Sequence, residues 1–152
     1  MQETLEAIRS FIPGRIEATL GVITGMFGAV VTTLFGGWSD ALTSLLIAMG
    51  IDYLTGVLAA AVQPTRQIDY KLGAIGLAKK TGILLIVAAG HVGDLVLGTS
   101  IVEYAVIYGY LSNEGLSIIR NAEAMGIPVP SVVKAAYTAI GDKSNNMGGK
   151  QK

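Results

Sequence analysis

Cysteine is absent from the 152-residue chain, which excludes disulfide frameworks, thiolate chemistry and zinc–thiolate sites. Charged residues are scarce, at 14% of the chain against about a quarter in soluble domains. The formal net charge is zero, which argues against nucleic acid as the main partner. Since the chain has a single histidine and no thiolate, we expect neither a metal site nor a cofactor.

The remainder of the composition is apolar. Hydrophobic residues make up 51% of the chain and the mean hydropathy is +0.56. So few charges would not cover the water-facing surface of a compact domain. The 20 glycines lie inside long apolar runs, which excludes collagen-like and disordered chains and is typical of membrane helices that approach closely.

Four apolar stretches predict transmembrane helices. Residues 18–39 contain no charged residue and are long enough to cross a hydrocarbon core of about 30 Å. Residues 41–62 and 81–102 form the second and third spans, each interrupted by ionisable groups. Residues 104–119 form a weaker fourth span because they contain Glu114. A three-span arrangement is the alternative.

The distribution of basic residues predicts the orientation of these spans. The loops at residues 36–40 and about 95–103 contain no Lys or Arg, and all 11 basic residues lie elsewhere. By the positive-inside rule, the N-terminal segment, the central loop and the C-terminal segment face the cytoplasm. A three-span arrangement would place Arg120 and Lys134 outside. We therefore predict an all-α, multi-pass membrane protein with about four transmembrane helices, short interfacial helices and both termini cytoplasmic.

The predicted organisation has four segments. Residues 1–17 form either an amphipathic segment on the membrane surface or a frayed polar terminus. A transmembrane domain at 18–124 includes the basic cytoplasmic loop 63–80. Residues 125–140 form a Pro-containing turn and a short helix, and 141–152 form a disordered polar tail. No signal peptide is recognisable, so we expect the internal spans to direct membrane insertion.

Asp52 lies in the middle of the second span, where an ionised group is costly. Every fourth residue along this helix is small or polar, which places them on one face: Ser44, Ala48, Asp52, Gly56 and Ala60. This face is either a subunit contact or pore lining, or it buries Asp52 against a neighbouring helix of the same subunit. Gly21 and Gly25 form a similar row in the first span.

Other ionisable residues near the spans are candidates for a pore or a helix contact. His91 and Asp94 share a helix face, and so do Glu103 and Glu114, with Ser117 and Asn121 on the same side. Such a stripe lines water, faces the inside of a bundle, or belongs to a helix that lies partly outside the bilayer. Lys71, Lys79 and Lys80 are expected at lipid headgroups or as topology determinants. No nucleophile–base pair is apparent, so we predict no enzymatic activity.

Three blocks of sequence resemble the bacteriophage holin family, which includes the clostridial toxin-secretion holins. They are IDYLTGVLAA at 51–60, KLGAIGLAKK at 71–80, and NEGLSIIRN at 113–121 followed by GIPVP at 126–130. The residues that match the family pattern are Thr55, Ser117, Asn121, Pro128 and Pro130. Arg120 departs from it, because an acidic residue is expected there. The blocks cover roughly residues 45–140.

The resemblance implies a phage lysis protein that oligomerises in the bacterial cytoplasmic membrane and permeabilises it. An endolysin, or in some relatives a toxin, then crosses the membrane, and the host cell lyses. The lipid bilayer and other copies of the chain would be the direct partners. A small ion channel or transporter, and a membrane scaffold without permeation, stay open as alternatives.

Overall fold

The computed structural model describes residues 14–63 and 70–149. These residues form five helices: α1 (Arg15–Phe35), α2 (Asp40–Val62), α3 (Tyr70–Leu97), α4 (Ile101–Ala124) and α5 (Ser131–Gly149). No strand occurs in these two ranges. The predicted all-α class is therefore confirmed for the described part of the chain.

The chain divides into two compact units, Met1–Gly37 and Trp38–Lys152. The predicted transmembrane domain 18–124 instead grouped the first span with the others. Within the first unit, the Glu17 side chain accepts a hydrogen bond from the Gly14 N–H at 3.0 Å, which satisfies a donor at the start of α1. The helix ends at Gly36, whose φ of 64° favours glycine.

In the second unit, α4 is the central helix and contacts α2, α3 and α5. It runs antiparallel to α3, because Gly90 of α3 lies against Glu103 while Lys80 bonds to Glu114.

Helix α4 is antiparallel to α5 as well, since Ser144 bonds to Ala105 and Tyr137 lies against Gly115. Thus α3, α4 and α5 form an up–down series.

Glycines with positive φ end α3 and α4. At Gly98, φ is 66° and the following Thr99 N–H donates to the Asp94 carbonyl at 3.0 Å. At Gly126, φ is 80° and the Ile127 N–H donates to the Ala122 carbonyl at 3.0 Å. Both are left-handed helix ends that reverse the chain. The second precedes the predicted proline turn.

Three described helical segments are long and apolar enough to span a membrane: Arg15–Phe35, Asp40–Val62 and Gly73–Leu97. Their surfaces expose large apolar side chains, among them Leu20, Leu54, Leu58, Leu77 and Leu85. Such surfaces are typical of contact with lipid rather than water. The chain is therefore a multi-pass membrane protein.

The predicted fourth span corresponds to α4, which does not meet the same criterion of apolarity. Its polar residues Glu103, Ser112 and Glu114 are buried against other helices of the chain. Internal pairing explains why α4 has the lower hydropathy, because a helix surrounded by protein needs no lipophilic surface. The count of four spans and the cytoplasmic location of both termini stay predictions.

Other boundaries differ from the sequence expectations. The predicted loop 63–80 is shorter, because α3 begins at Tyr70 and continues into the third span. The predicted disordered tail is wrong over 141–149, where α5 continues to Gly149. Packing on α4 holds this polar segment in a helix. The predicted N-terminal helix lies outside the described residues, apart from the first turn of α1.

Candidate functional site

Lys80 joins three helices through its ammonium group. It donates hydrogen bonds to Asp52 Oδ2 of α2 at 3.0 Å and to Glu114 Oε2 of α4. The side chains of Lys80, Asp52 and Glu114 are 13%, 18% and 9% exposed. This ion network lies inside the bundle, where pairing offsets much of the cost of removing charges from water.

Asn121 extends the network along α4. Its Nδ2 donates to Asp52 Oδ1 and to Thr55 Oγ1, each at 3.2 Å. Gly56 lies beside it, and a Cβ there would be in ordinary van der Waals contact with this nitrogen at 3.6 Å. Thr55 in turn donates to the Asp52 carbonyl at 3.1 Å. The three sequence blocks that carry the family resemblance therefore meet at one place.

The network contains two carboxylates and one ammonium, so it carries one surplus negative charge when all three groups are ionised. The Asn121 amide helps to satisfy Asp52, and no buried side-chain nitrogen or oxygen among the described residues lacks a partner. In such a fully bonded network, loss of one member leaves the others buried without a partner. The arrangement is suited to holding α2, α3 and α4 in one register.

A second polar cluster lies where α3 turns into α4. His91 Nδ1 lies 2.9 Å from Glu103 Oε2. The Asp94 carboxylate accepts the N–H groups of Val102 at 3.0 Å and Glu103 at 2.8 Å, and the Thr99 hydroxyl also donates to it. Asp94 thus caps the N-terminus of α4 from the preceding helix. The positive end of the α4 dipole also stabilises the negative charge of its carboxylate.

The contact between α4 and α5 consists of small residues and hydroxyl groups. Ser112 Oγ donates to the Tyr137 carbonyl at 2.7 Å, and Ser144 Oγ donates to the Ala105 carbonyl at 2.6 Å. Gly115 lies under the Tyr137 ring, where a Cβ would come within 2.0 Å of the ring. The close approach of the two helices therefore requires glycine at position 115.

The predicted stripe on α2 lies largely inside its own chain. Ala48 is buried, and Asp52 and Gly56 contact Asn121 of α4. This agrees with the alternative of an aspartate bonded within the same subunit. Ala60 is half-buried. A role of these residues in subunit contact stays a prediction.

The three lysines separate into two environments. Lys71 and Lys79 are exposed, and their contact with lipid headgroups stays a prediction. Lys80 instead occupies the ion network, and its prediction as a headgroup residue did not foresee that contact. The reason is periodicity: consecutive residues on a helix point about 100° apart, so only one of the pair faces α2 and α4.

The predicted acidic stripe on α4 lies against α3. Glu103 and Glu114 both face α3, where they pair with His91 and Lys80. The third predicted position, Ser117, is half-buried on the same helix. Pro128 and Pro130 lie in the turn between α4 and α5.

Gly21 and Gly25 lie on α1, and a Cβ at either would meet nothing within 4 Å in the described residues. Sequence reasoning missed the contact between α4 and α5, although its signal is present. Gly109, Ser112 and Gly115 recur at helical spacing on α4, and Gly141 and Ser144 do so on α5. The polar composition of residues 141–149 concealed this second row.

The acidic groups of the two polar clusters are paired within the subunit. Within the described ranges, no group of three or more metal-ligating side chains is placed to hold an ion. The acidic groups are occupied by Lys80, Asn121, His91 and the start of α4. The polar groups therefore connect helices of the second unit.

Comparison with known proteins gives a consistent family assignment. The model of the bacteriophage holin family matches residues 29–142. An uncharacterized protein of Halalkalibacterium halodurans is 37% identical over 136 residues, which cover 85% of this chain and 99% of that protein. No solved structure matches.

Two further relatives come from other bacteria. An uncharacterized protein of Listeria monocytogenes is 42% identical, with 78% of this chain and 84% of that protein covered. An uncharacterized 14.9 kDa protein of the nagH 3' region of Clostridium perfringens is 33% identical, with 76% and 88% covered.

Proposed function

Because the chain belongs to the bacteriophage holin family, we propose that it oligomerises in the bacterial cytoplasmic membrane and permeabilises it. An endolysin, or an exported toxin, then crosses the membrane without necessarily contacting the chain. The role is not enzymatic. The family match over residues 29–142 carries this proposal, since it includes α2, α3, α4 and most of α5.

The distribution of apolar and charged side chains in the second unit supports two successive steps. The subunit first inserts into the bilayer, and the assembled protein later permeabilises the bilayer. Large apolar side chains such as Leu54, Leu58 and Leu85 point outward, whereas Asp52, Lys80 and Glu114 pair inside. Charges that pair with one another inside a bundle lower the cost of insertion. Single subunits are therefore expected to accumulate in the membrane without harming the cell.

We propose that α4 is the fourth span. It has 24 residues, or about 36 Å at 1.5 Å per residue, which is sufficient to cross the hydrocarbon core. It lies against both α2 and α3, each of which is a candidate span. The basic segment around α3's first residues faces the cytoplasm in this arrangement, as the positive-inside rule favours.

The test is induced expression in bacteria with and without a co-expressed cytoplasmic endolysin. We would follow membrane potential with a voltage-sensitive dye and lysis by turbidity. Abrupt depolarisation, followed by lysis only when the endolysin is present, is the expected result. Endolysin alone and an unrelated multi-pass protein at equal membrane level are the controls.

Two other results would contradict the proposal. Depolarisation with the endolysin retained inside the cell would indicate a small-ion channel. Unchanged potential, with the protein confirmed in the membrane fraction, would indicate a scaffold that does not permeabilise.

A further inference from the structure

The outward face of α5 is polar in its second half. Asp142, Lys143, Asn145 and Asn146 are all exposed, while Tyr137, Gly141 and Ser144 face α4. Lys143 lies over the Tyr108 ring, with its Nζ 4.6 Å from the ring centroid. Among the described residues, Asp142, Asn145 and Asn146 have no side-chain hydrogen bond or ion pair, whereas Lys143 contacts the Tyr108 ring of α4.

The contacts between helices give the depth of this face. Lys80 lies beside Glu114 and Gly90 beside Glu103, so the middle of α3, Leu85, lies level with residues 108–109 of α4. Ser144 contacts Ala105 and would contact a Cβ at Gly109. Residues 142–146 are thus within about 5 Å of the level of Leu85, at 1.5 Å per helical residue.

Leu85 is the middle residue of the apolar segment Gly73–Leu97. If α3 crosses the bilayer, the polar face of α5 lies near its mid-depth, and α5 ends on the side opposite to the predicted cytoplasmic one. Charged and amide side chains at that depth face water or protein rather than lipid. Water can satisfy the Asp142 carboxylate, the two amides and the Lys143 donors that do not face the Tyr108 ring.

We propose that this face of α5, formed by Ala139, Asp142, Lys143, Asn145 and Asn146, lines the aqueous passage of the assembled protein. The inference rests on the proposed permeabilising function and assigns its water-contacting surface to α5. Asp52 and Glu114, the residues that the sequence suggested, instead pair with Lys80 inside the subunit. The ion network holds the subunit together, and α5 meets the permeant solute.

The absence of native cysteine allows a direct test by cysteine accessibility in the full chain. Asn146→Cys and Ala139→Cys place a thiol on the proposed lining. Leu85→Cys is the matched control, because Leu85 lies at similar depth on α3 and is an apolar residue that is 65% exposed. Each variant is reconstituted in phosphatidylglycerol–phosphatidylethanolamine vesicles and treated with a negatively charged, membrane-impermeant methanethiosulfonate.

We expect the thiols on α5 to react at least tenfold faster than the thiol at position 85, and their modification to reduce ion leak several-fold. Two positions are used so that failure of one variant to insert leaves the other. A second measurement is ion selectivity: Asp142→Lys is expected to shift permeability toward anions, because it replaces a negative charge in the passage with a positive one.

The outcomes separate the inference from the proposed function. No leak from the unmodified protein would contradict the function and the inference together. Leak with unreactive thiols on α5, or with disulfides between copies at position 146 on oxidation, would overturn the inference alone. Reaction without any change in leak would also overturn it, since it would place α5 in water outside the passage.

Discussion

Lys80 and Lys79 are adjacent in the sequence but occupy opposite environments. Lys80 bonds to carboxylates of two other helices, whereas Lys79 is exposed. Removal of one partner from a buried ion network costs about 3–5 kcal/mol, because the remaining charges stay buried. Exposed charges contribute about 0–1 kcal/mol. The pair therefore provides an internal comparison.

We predict that Lys80→Met lowers the free energy of unfolding by about 3 kcal/mol, while Lys79→Met changes it by less than about 1 kcal/mol. Thermal unfolding in mild detergent measures both. Combining Lys80→Met with Asp52→Asn and Glu114→Gln is expected to recover part of the loss, because no unpaired charge remains. Equal effects of the two single substitutions would show that the network does not stabilise the bundle.

Asp94 also acts at the scale of one residue, because its carboxylate accepts two backbone N–H groups at the start of α4. Loss of a helix cap costs about 1–2 kcal/mol. We predict that Asp94→Ala speeds hydrogen exchange at the Val102 and Glu103 amides about tenfold. Glu123→Ala, at an exposed position on the same helix, is the control and should leave these amides protected.

At the scale of elements, α4 organises the second unit, since it contacts α2, α3 and α5. Its contact with α5 depends on the absence of side chains at a few positions. Gly115 is the tightest, because a Cβ there would overlap the Tyr137 ring at 2.0 Å. This contact fixes the direction in which α5 returns along α4.

We predict that Gly115→Ala separates α5 from α4 and exposes residues 131–149 to protease, with Tyr137→Ala restoring protection. Gly76→Ala is the control, since nothing lies within 4 Å of its Cβ position. Alanine is favoured over glycine in a helix by about 0.5–1 kcal/mol, so that control should be neutral or stabilising. Equal protection of Gly115→Ala and the natural chain would refute the close contact.

At the scale of the whole molecule, the candidate spans expose large apolar side chains, whereas Asp52, Lys80 and Glu114 pair inside the second unit. Exposed Leu85 and Leu77 both lie on α3, but at different depths of the segment Gly73–Leu97. A lysine in the middle of a span costs about 3 kcal/mol in membrane insertion. A lysine near a span's end extends its ammonium to the interface at little cost.

We therefore predict that Leu85→Lys lowers the fraction of chains integrated into the membrane, whereas Leu77→Lys does so much less. Alkaline extraction of membranes after expression measures the integrated fraction. Because both variants replace an exposed leucine of α3 by lysine, they differ only in the depth of the substituted position. If both variants integrate as well as the natural chain, α3 does not present this face to hydrocarbon.

Much of the architecture follows from the sequence alone. The second predicted span, 41–62, nearly coincides with α2 at Asp40–Val62, because a run of apolar residues ending at Gln63 leaves little choice of boundary. The family resemblance was confirmed by the match over residues 29–142. The shared face of Glu103 and Glu114 follows from helical periodicity alone.

Only the tertiary structure decided what these residues contact. Local sequence does not reveal that Lys80 belongs with Asp52 and Glu114, which lie 28 and 34 positions away. Nor does low hydropathy reveal that residues 141–149 are helical, because their order comes from packing Ser144 and Gly141 on α4. Composition and periodicity act over one element, whereas pairing of charges and close helix approach depend on residues distant in sequence. The physical reason is that a polar or charged group is stable inside the bundle only where a residue of another helix pairs with it.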